Sequence, residues 1–145
     1  MNIIIGSDHA GFELKQHLID FLMPQHNIID VGPNSIESVD YPDYAHLVSK
    51  EVNSNNSYIG ILICGSGNGM VMTSNKYPNI RASLCWNNEI SKLSRQHNNA
   101  NIICLPARFI DIETSENIIS TFLNTEFEGG RHETRINKIN SNYTT

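Results

Sequence analysis

Along this chain, short aliphatic runs alternate with stretches in which apolar positions recur at helical spacing. Ile3 to Ile5 is an unbroken β-branched run, the pattern of a strand covered on both faces. Leu14, Leu18, Phe21 and Leu22 then follow one helical stripe, which Pro24 closes. Ile28 to Val31 predicts a second strand, and Gly32-Pro33-Asn34 a loop after it. Ala45, Val48 and Val52 mark a second helix. Ile59 to Cys64 is the clearest strand in the chain. A glycine-rich turn follows, then a helix from about Gly69 to Lys76. Ile80 to Leu84 reads as strand four; Ile90, Leu93 and His97 lie along helix four; Ile102 to Leu105 is strand five. Ile118, Ile119, Phe122 and Leu123 belong to helix five, and residues Glu128 to Asn140 predict a final, more polar helix. The polar tail from Ser141 to Thr145 is expected to fray.

Strand–helix alternation of this kind implies an α/β fold, with a parallel sheet covered by helices on both faces. In open sheets of this class, ligands bind beyond the carboxyl ends of the strands. That singles out Ser7-Asp8-His9, the segment Cys64 to Gly69, and Pro106 to Arg108.

Composition narrows the class. A length of 145 residues fits one domain spanning 1–145, and 39% apolar residues exclude a disordered chain. The net charge of −5 argues against nucleic acid as a partner, though a few local arginines could still hold a small anion. Cys64, Cys85 and Cys104 form no CxxC pair and no zinc-finger spacing, which suits a reducing compartment. The N-terminus lacks a basic, then apolar, leader, so no signal peptide is expected. No run approaches ~18 apolar residues, so no membrane span is expected either. Asparagines cluster at 53–56 and 98–101; they read as loop chemistry without functional weight.

Cys64-Gly65-Ser66-Gly67-Asn68-Gly69 is the most informative segment. Glycines at alternate positions let backbone N–H groups converge on an anion, and the following helix adds its positive end. A thiol in that field is set up to serve as a base. Removing a carbon-bound proton needs such a base together with donors for the enediolate oxygen that results. The plainer alternative is an inert buried cysteine beside a glycine turn. The segment is not a Walker A loop, because no GK[ST] follows. Nor does Gly6-Ser7-Asp8-His9-Ala10-Gly11 have dinucleotide spacing, so Asp30, placed where a ribose-binding acid would sit, is discounted.

Asp8 and His9 could contact sugar hydroxyls or phosphate; alternatively, Asp8 could cap the next helix. His97 could be a general acid/base, or a histidine interacting with the carbonyls that end its helix. Arg131 and Arg135 are four apart and share one helical face, a two-armed phosphate clamp or a solvated face paired with Glu128 or Glu133. Arg108 could join the clamp. His17, His26, His46 and His132 show no ligand spacing and read as surface residues, with a place beside a site left open for His132 alone.

Taken in order, Gly6-Ser7-Asp8-His9-Ala10-Gly11-Phe12, Asp40-Tyr41-Pro42, Ile63-Cys64-Gly65-Ser66-Gly67, Asn75-Lys76, Ser94-Arg95-Gln96-His97-Asn98 and Glu128-Gly129-Gly130-Arg131-His132 closely resemble the ribose-5-phosphate isomerase B family. The resemblance covers residues 1 to about 139. It implies a Rossmann-like three-layer sandwich around five parallel strands. It also implies an aldose–ketose isomerase without metal or cofactor, taking a sugar phosphate through an enediolate in the cytoplasm. Carried over, Cys64 is the base between C1 and C2, Ser66 assists near the substrate oxygens, and His97 opens the furanose ring. Backbone amides from Gly65 through Gly67 and Asn68 to Gly69 form the anion hole, and Asn98 holds the intermediate. Asp8, His9 and Tyr41 contact the sugar or its phosphate, and Arg108, Arg131 and Arg135 bind the phosphate. Sites shared between subunits imply a homodimer or a dimer of dimers, with the helix at about 128–140 reaching a partner.

Some positions depart from the family pattern. Leu105-Pro106-Ala107 replaces a glycine-containing approach to Arg108, which puts that arginine's placement in question, and Asn99 stands where Asp is frequent. A branch of the family uses a glutamate base; with Cys64 present, the cysteine mechanism is expected. Rival readings are an allose 6-phosphate or galactose 6-phosphate isomerase, a non-catalytic sugar-phosphate sensor, and a flavodoxin-type nucleotide module, against which the loops argue.

Overall fold

A computed structural model describes residues 1–141; of the tail expected to fray, residues 142–145 lie outside the described residues. Five strands, β1 (Asn2–Ser7), β2 (Asn27–Asp30), β3 (Tyr58–Cys64), β4 (Ala82–Leu84) and β5 (Ile102–Pro106), form one sheet in the order β2-β1-β3-β5-β4. Every pairing is parallel. Six helices connect or follow them: α1 (Phe12–Leu22), α2 (Tyr41–Ser54), α3 (Asn68–Ser74), α4 (Asn88–Gln96), α5 (Ile112–Asn124) and α6 (Arg131–Ile136).

The period-two alternation of each strand divides the core into two layers. Ile3, Ile5, Ile61, Ile63, Ile103 and Leu105 pack with Leu18 and Leu22 of α1 and Ile118, Ile119 and Phe122 of α5. On the other face, Ile4, Leu62, Cys64, Ile102 and Cys104 pack with Ala45, Val48 and Val52 of α2 and Met70 of α3. This is the three-layer sandwich expected, and both faces of the central strands are dry.

Strand order also places the ligand edge. The chain moves from β1 outward to β2, then returns past β1 to β3 on its other side, so the crossover direction reverses between β1 and β3. Loops diverge there and leave a crevice. Register aligns its walls: Ser7 pairs with Ile63, and Cys64 with Pro106.

Two elements differ from expectation. Strand four begins at Ala82 rather than Ile80; Ile80 is buried in the preceding turn, where its N–H donates to the Tyr77 carbonyl. The helix expected over Glu128 to Asn140 is only the six residues of α6. Gly129 and Gly130 hold φ of +67° and +57°, which a right-handed helix cannot include, and beyond Ile136 the chain continues in tight turns.

Candidate active site

Asp8, Tyr41, Cys64, Gly65, Ser66, Gly69, Arg108 and Phe109 line a cleft of about 340 Å³ at the β1/β3 crevice. Cys64 ends β3 with its side chain in the α2–α3 layer, and the Gly67 N–H donates to its Sγ at 3.1 Å. The loop turns back this sharply because Gly67 takes φ +75°. Ser66 is exposed at the rim, and its Oγ accepts from the Asn68 N–H at 3.4 Å. Asn68 opens α3 without lining the cleft. The Tyr41 ring lies so close over Gly69 that a Cβ there would be 2.5 Å from it. Glycine at 69 is what lets the Tyr41 ring pack against the first turn of α3, beside the thiol in the cleft wall.

Asp8 has a structural bond and a place in the cleft wall. One oxygen accepts from the Gly11 N–H at 3.0 Å, steadying the turn into α1, while the residue also lines the cleft. His9 does not line it; its Nδ1 lies 3.3 Å from both the N–H and the carbonyl of Val39 and ties this turn to the loop before α2. Pro106 ends β5, and Arg108 two residues on lines the cleft. The Ala107 and Arg108 N–H groups donate to the carbonyls of Cys64 and Gly65, and the arginine side chain lies against Gly65. Asp30 is engaged elsewhere: it accepts from the buried Lys15 ammonium at 2.6 and 2.7 Å and from the Gly32 N–H.

The remaining expected residues are at the opposite edge of the sheet. His97 caps the C-terminus of α4, and Asn98 follows it, before β5 begins at Ile102. Because α4 runs back against the strands, the five residues of β5, about 15 Å of chain, separate this turn from the Cys64 edge. Arg81 Nε donates to the Asn98 and Asn99 carbonyls, and Asn99 takes φ +45°. Arg131 and Arg135 are exposed on α6 beside this turn. The asparagines given no weight have a structural task here: Asn53 accepts from Asn79, Asn101 donates to the Asn79 carbonyl, and Asn101 accepts from the Arg81 N–H.

His132 corrects the surface reading, being only 7% exposed. Its ring stacks on His97 with centroids 4.1 Å apart and planes 9° from parallel. A Glu128 carboxylate oxygen lies 3.5 Å from His132 Nε2 and 4.0 Å from His97 Nε2. Burial, then His97 and the two α6 arginines, push the His132 imidazole below its ordinary 6.5, against an upward pull from Glu128. These three residues bring donor atoms within 4.8 Å of one another. In nearly parallel ring planes the in-plane nitrogen lone pairs do not converge on one position, so the two rings are arranged as a stack. His17 and His46 are not bystanders either. His17 bridges to Glu116 at 2.6 Å between α1 and α5, and His46 meets the Tyr77 hydroxyl at 2.7 Å.

A model of the ribose/galactose isomerase family matches residues 3–139. A ribose 5-phosphate isomerase B structure from Thermotoga maritima is 50% identical, superposes with a TM-score of 0.93, and covers 95% of this chain and 96% of its own. The Mycoplasma genitalium ribose-5-phosphate isomerase B, solved with bound ribulose-5-phosphate, is 44% identical, with a TM-score of 0.92 over 95% of this chain and 93% of that one. The ribose-5-phosphate isomerase B of Escherichia coli is 38% identical over 138 residues, 94% of this chain and 93% of that protein.

Proposed function

Since the chain belongs to the ribose/galactose isomerase family, we propose that it interconverts D-ribose 5-phosphate and D-ribulose 5-phosphate through an enediolate. The observation that carries the mechanism is Cys64, seated at the β1/β3 crevice with backbone donors beside it and Asp8, Tyr41 and Arg108 around one cleft. Cys64 takes the proton from C2 and returns it to C1. Amides of the Gly65 to Gly69 loop, with Ser66 at the rim, bear the charge that develops on oxygen. Asp8 and Tyr41 orient the hydroxyls, and Arg108 meets the anionic end of the substrate.

A single chain keeps His97, Asn98, Arg131 and Arg135 away from that cleft. In this reading they complete the cleft of a second copy, His97 opening the furanose ring and the α6 arginines clamping the phosphate. The region around α6 then lies at a homodimer interface. Such an enzyme belongs to the pentose phosphate reactions of the cytoplasm. Among the described residues no helix is long and apolar enough to cross a membrane.

The test is an assay of the purified protein on ribose 5-phosphate with and without EDTA, beside Cys64→Ala, with allose 6-phosphate in parallel. Loss of a general base removes on the order of 100- to 10,000-fold of rate. We expect EDTA-insensitive activity that falls by that order in the variant. Preference for allose 6-phosphate would change the substrate and keep the mechanism. A folded protein inactive on both sugars would overturn the reading.

A further inference from the structure

His97 is half-exposed at the end of a helix, and among the described residues its ring makes no hydrogen bond that would fix its orientation. A group that must pass a proton to and from a sugar ring oxygen has to be aimed, since small misplacements cost rate steeply. What fixes the ring here is the face of His132. That imidazole is buried, rises from the first turn of α6, and lies flat against His97 at 4.1 Å. Its backbone is anchored from two sides: the His132 main-chain N–H donates to the Gly129 carbonyl, and the Glu128 N–H donates to the Gln96 carbonyl, lashing the segment before α6 to the end of α4.

Charged groups from three segments face the stack. Glu128 comes from the segment before α6, Arg131 and Arg135 from α6 itself, and His97 from α4. Two stacked imidazolium rings would repel, whereas one charged ring over a neutral one is attracted. Burial and the two arginines push the His132 imidazole below its ordinary value, against the pull of Glu128, and so favour its neutral form. A neutral aromatic face under His97 tolerates the charge that His97 gains during proton transfer.

We infer that His132 is a positioning residue of the isomerisation, holding the His97 ring by stacking and supporting its protonated form, with Glu128 tying the two elements together. This rests on the proposed ring-opening role of His97. It is tested by comparing His132→Phe, which keeps a flat neutral face, with His132→Ala, which removes it, alongside His97→Asn. Turnover of ribose 5-phosphate is measured together with the ring-current shift of the His97 proton resonances. The expected result for His132→Ala is loss of that shift and a fall in kcat of at least ~10-fold with KM little changed. His132→Phe should keep the shift and most of the turnover. Should the alanine variant not fold, His132→Gln, which lacks a ring face, takes its place. Equal impairment of the phenylalanine and alanine variants, an effect on KM alone, or an unimpaired alanine variant beside an impaired His97→Asn would overturn the inference. A fully active His97→Asn would instead remove the ring-opening role on which it stands.

Discussion

At Gly67 the backbone takes φ +75°, and an added Cβ would stand 2.4 Å from Leu84 Cδ1 and 3.3 Å from the Leu105 carbonyl carbon. Leu84 could swing aside; the backbone could not. For Gly67→Ala we expect a stability loss of about 1–2 kcal/mol from the left-handed conformation, read by urea denaturation. The loss of activity should be larger than that figure suggests, because the same N–H that donates to Cys64 Sγ would turn away. Wild-type turnover in a folded Gly67→Ala would show that the loop's turn is not needed. Arg135 presents a different case. It is exposed on α6, so Arg135→Ala should leave the fold intact and raise KM for the sugar phosphate, with kcat less affected. An unchanged KM would take it out of the phosphate clamp.

Between elements, the contact of greatest consequence is Lys15 of α1 with Asp30 at the end of β2. The lysine is fully buried, and Asp30 also accepts from Gly32, whose carbonyl accepts from the Ser7 N–H. This pair therefore joins α1, the edge strand and the turn that carries Asp8. Asp30→Ala would leave a buried ammonium without its partner, and we expect about 3 kcal/mol of lost stability in thermal or urea unfolding. An effect below 1 kcal/mol would mean that water reaches Lys15. Periodicity read alone could place Lys15 on a helix but not show that the helix buries it, because its partner comes from another element. The same limit separates what was legible here from what was not. The strands and the first five helices were legible as apolar runs and stripes, and the crevice residues followed from strand order once the sheet was parallel. Residues 128 to 130 misled because helical polarity was read through two glycines whose φ turned positive. The burial of His132 does not show in its own segment, because it depends on the His97 ring at the end of α4. Phe109, which lines the cleft while 75% exposed, carried no signal in the pattern.

For the whole molecule, the separation of the two residue groups by the sheet becomes an experiment on pairs of chains. Cys64→Ala retains the His97 edge, and His97→Asn retains the Cys64 cleft. Mixed after unfolding and refolded together, two inactive variants should regain activity in roughly a quarter of the sites, since a mixed dimer rebuilds one of its two. No recovery, from mixtures shown to exchange chains, would mean that each subunit completes its own site. In the proposed dimer the cleft of one copy meets the stack of the other, so a lone copy would hold two unfinished halves and no finished one. The quantity that sets the rate is then the population of assembled pairs, so specific activity should sink on dilution through the dissociation constant and return on concentration.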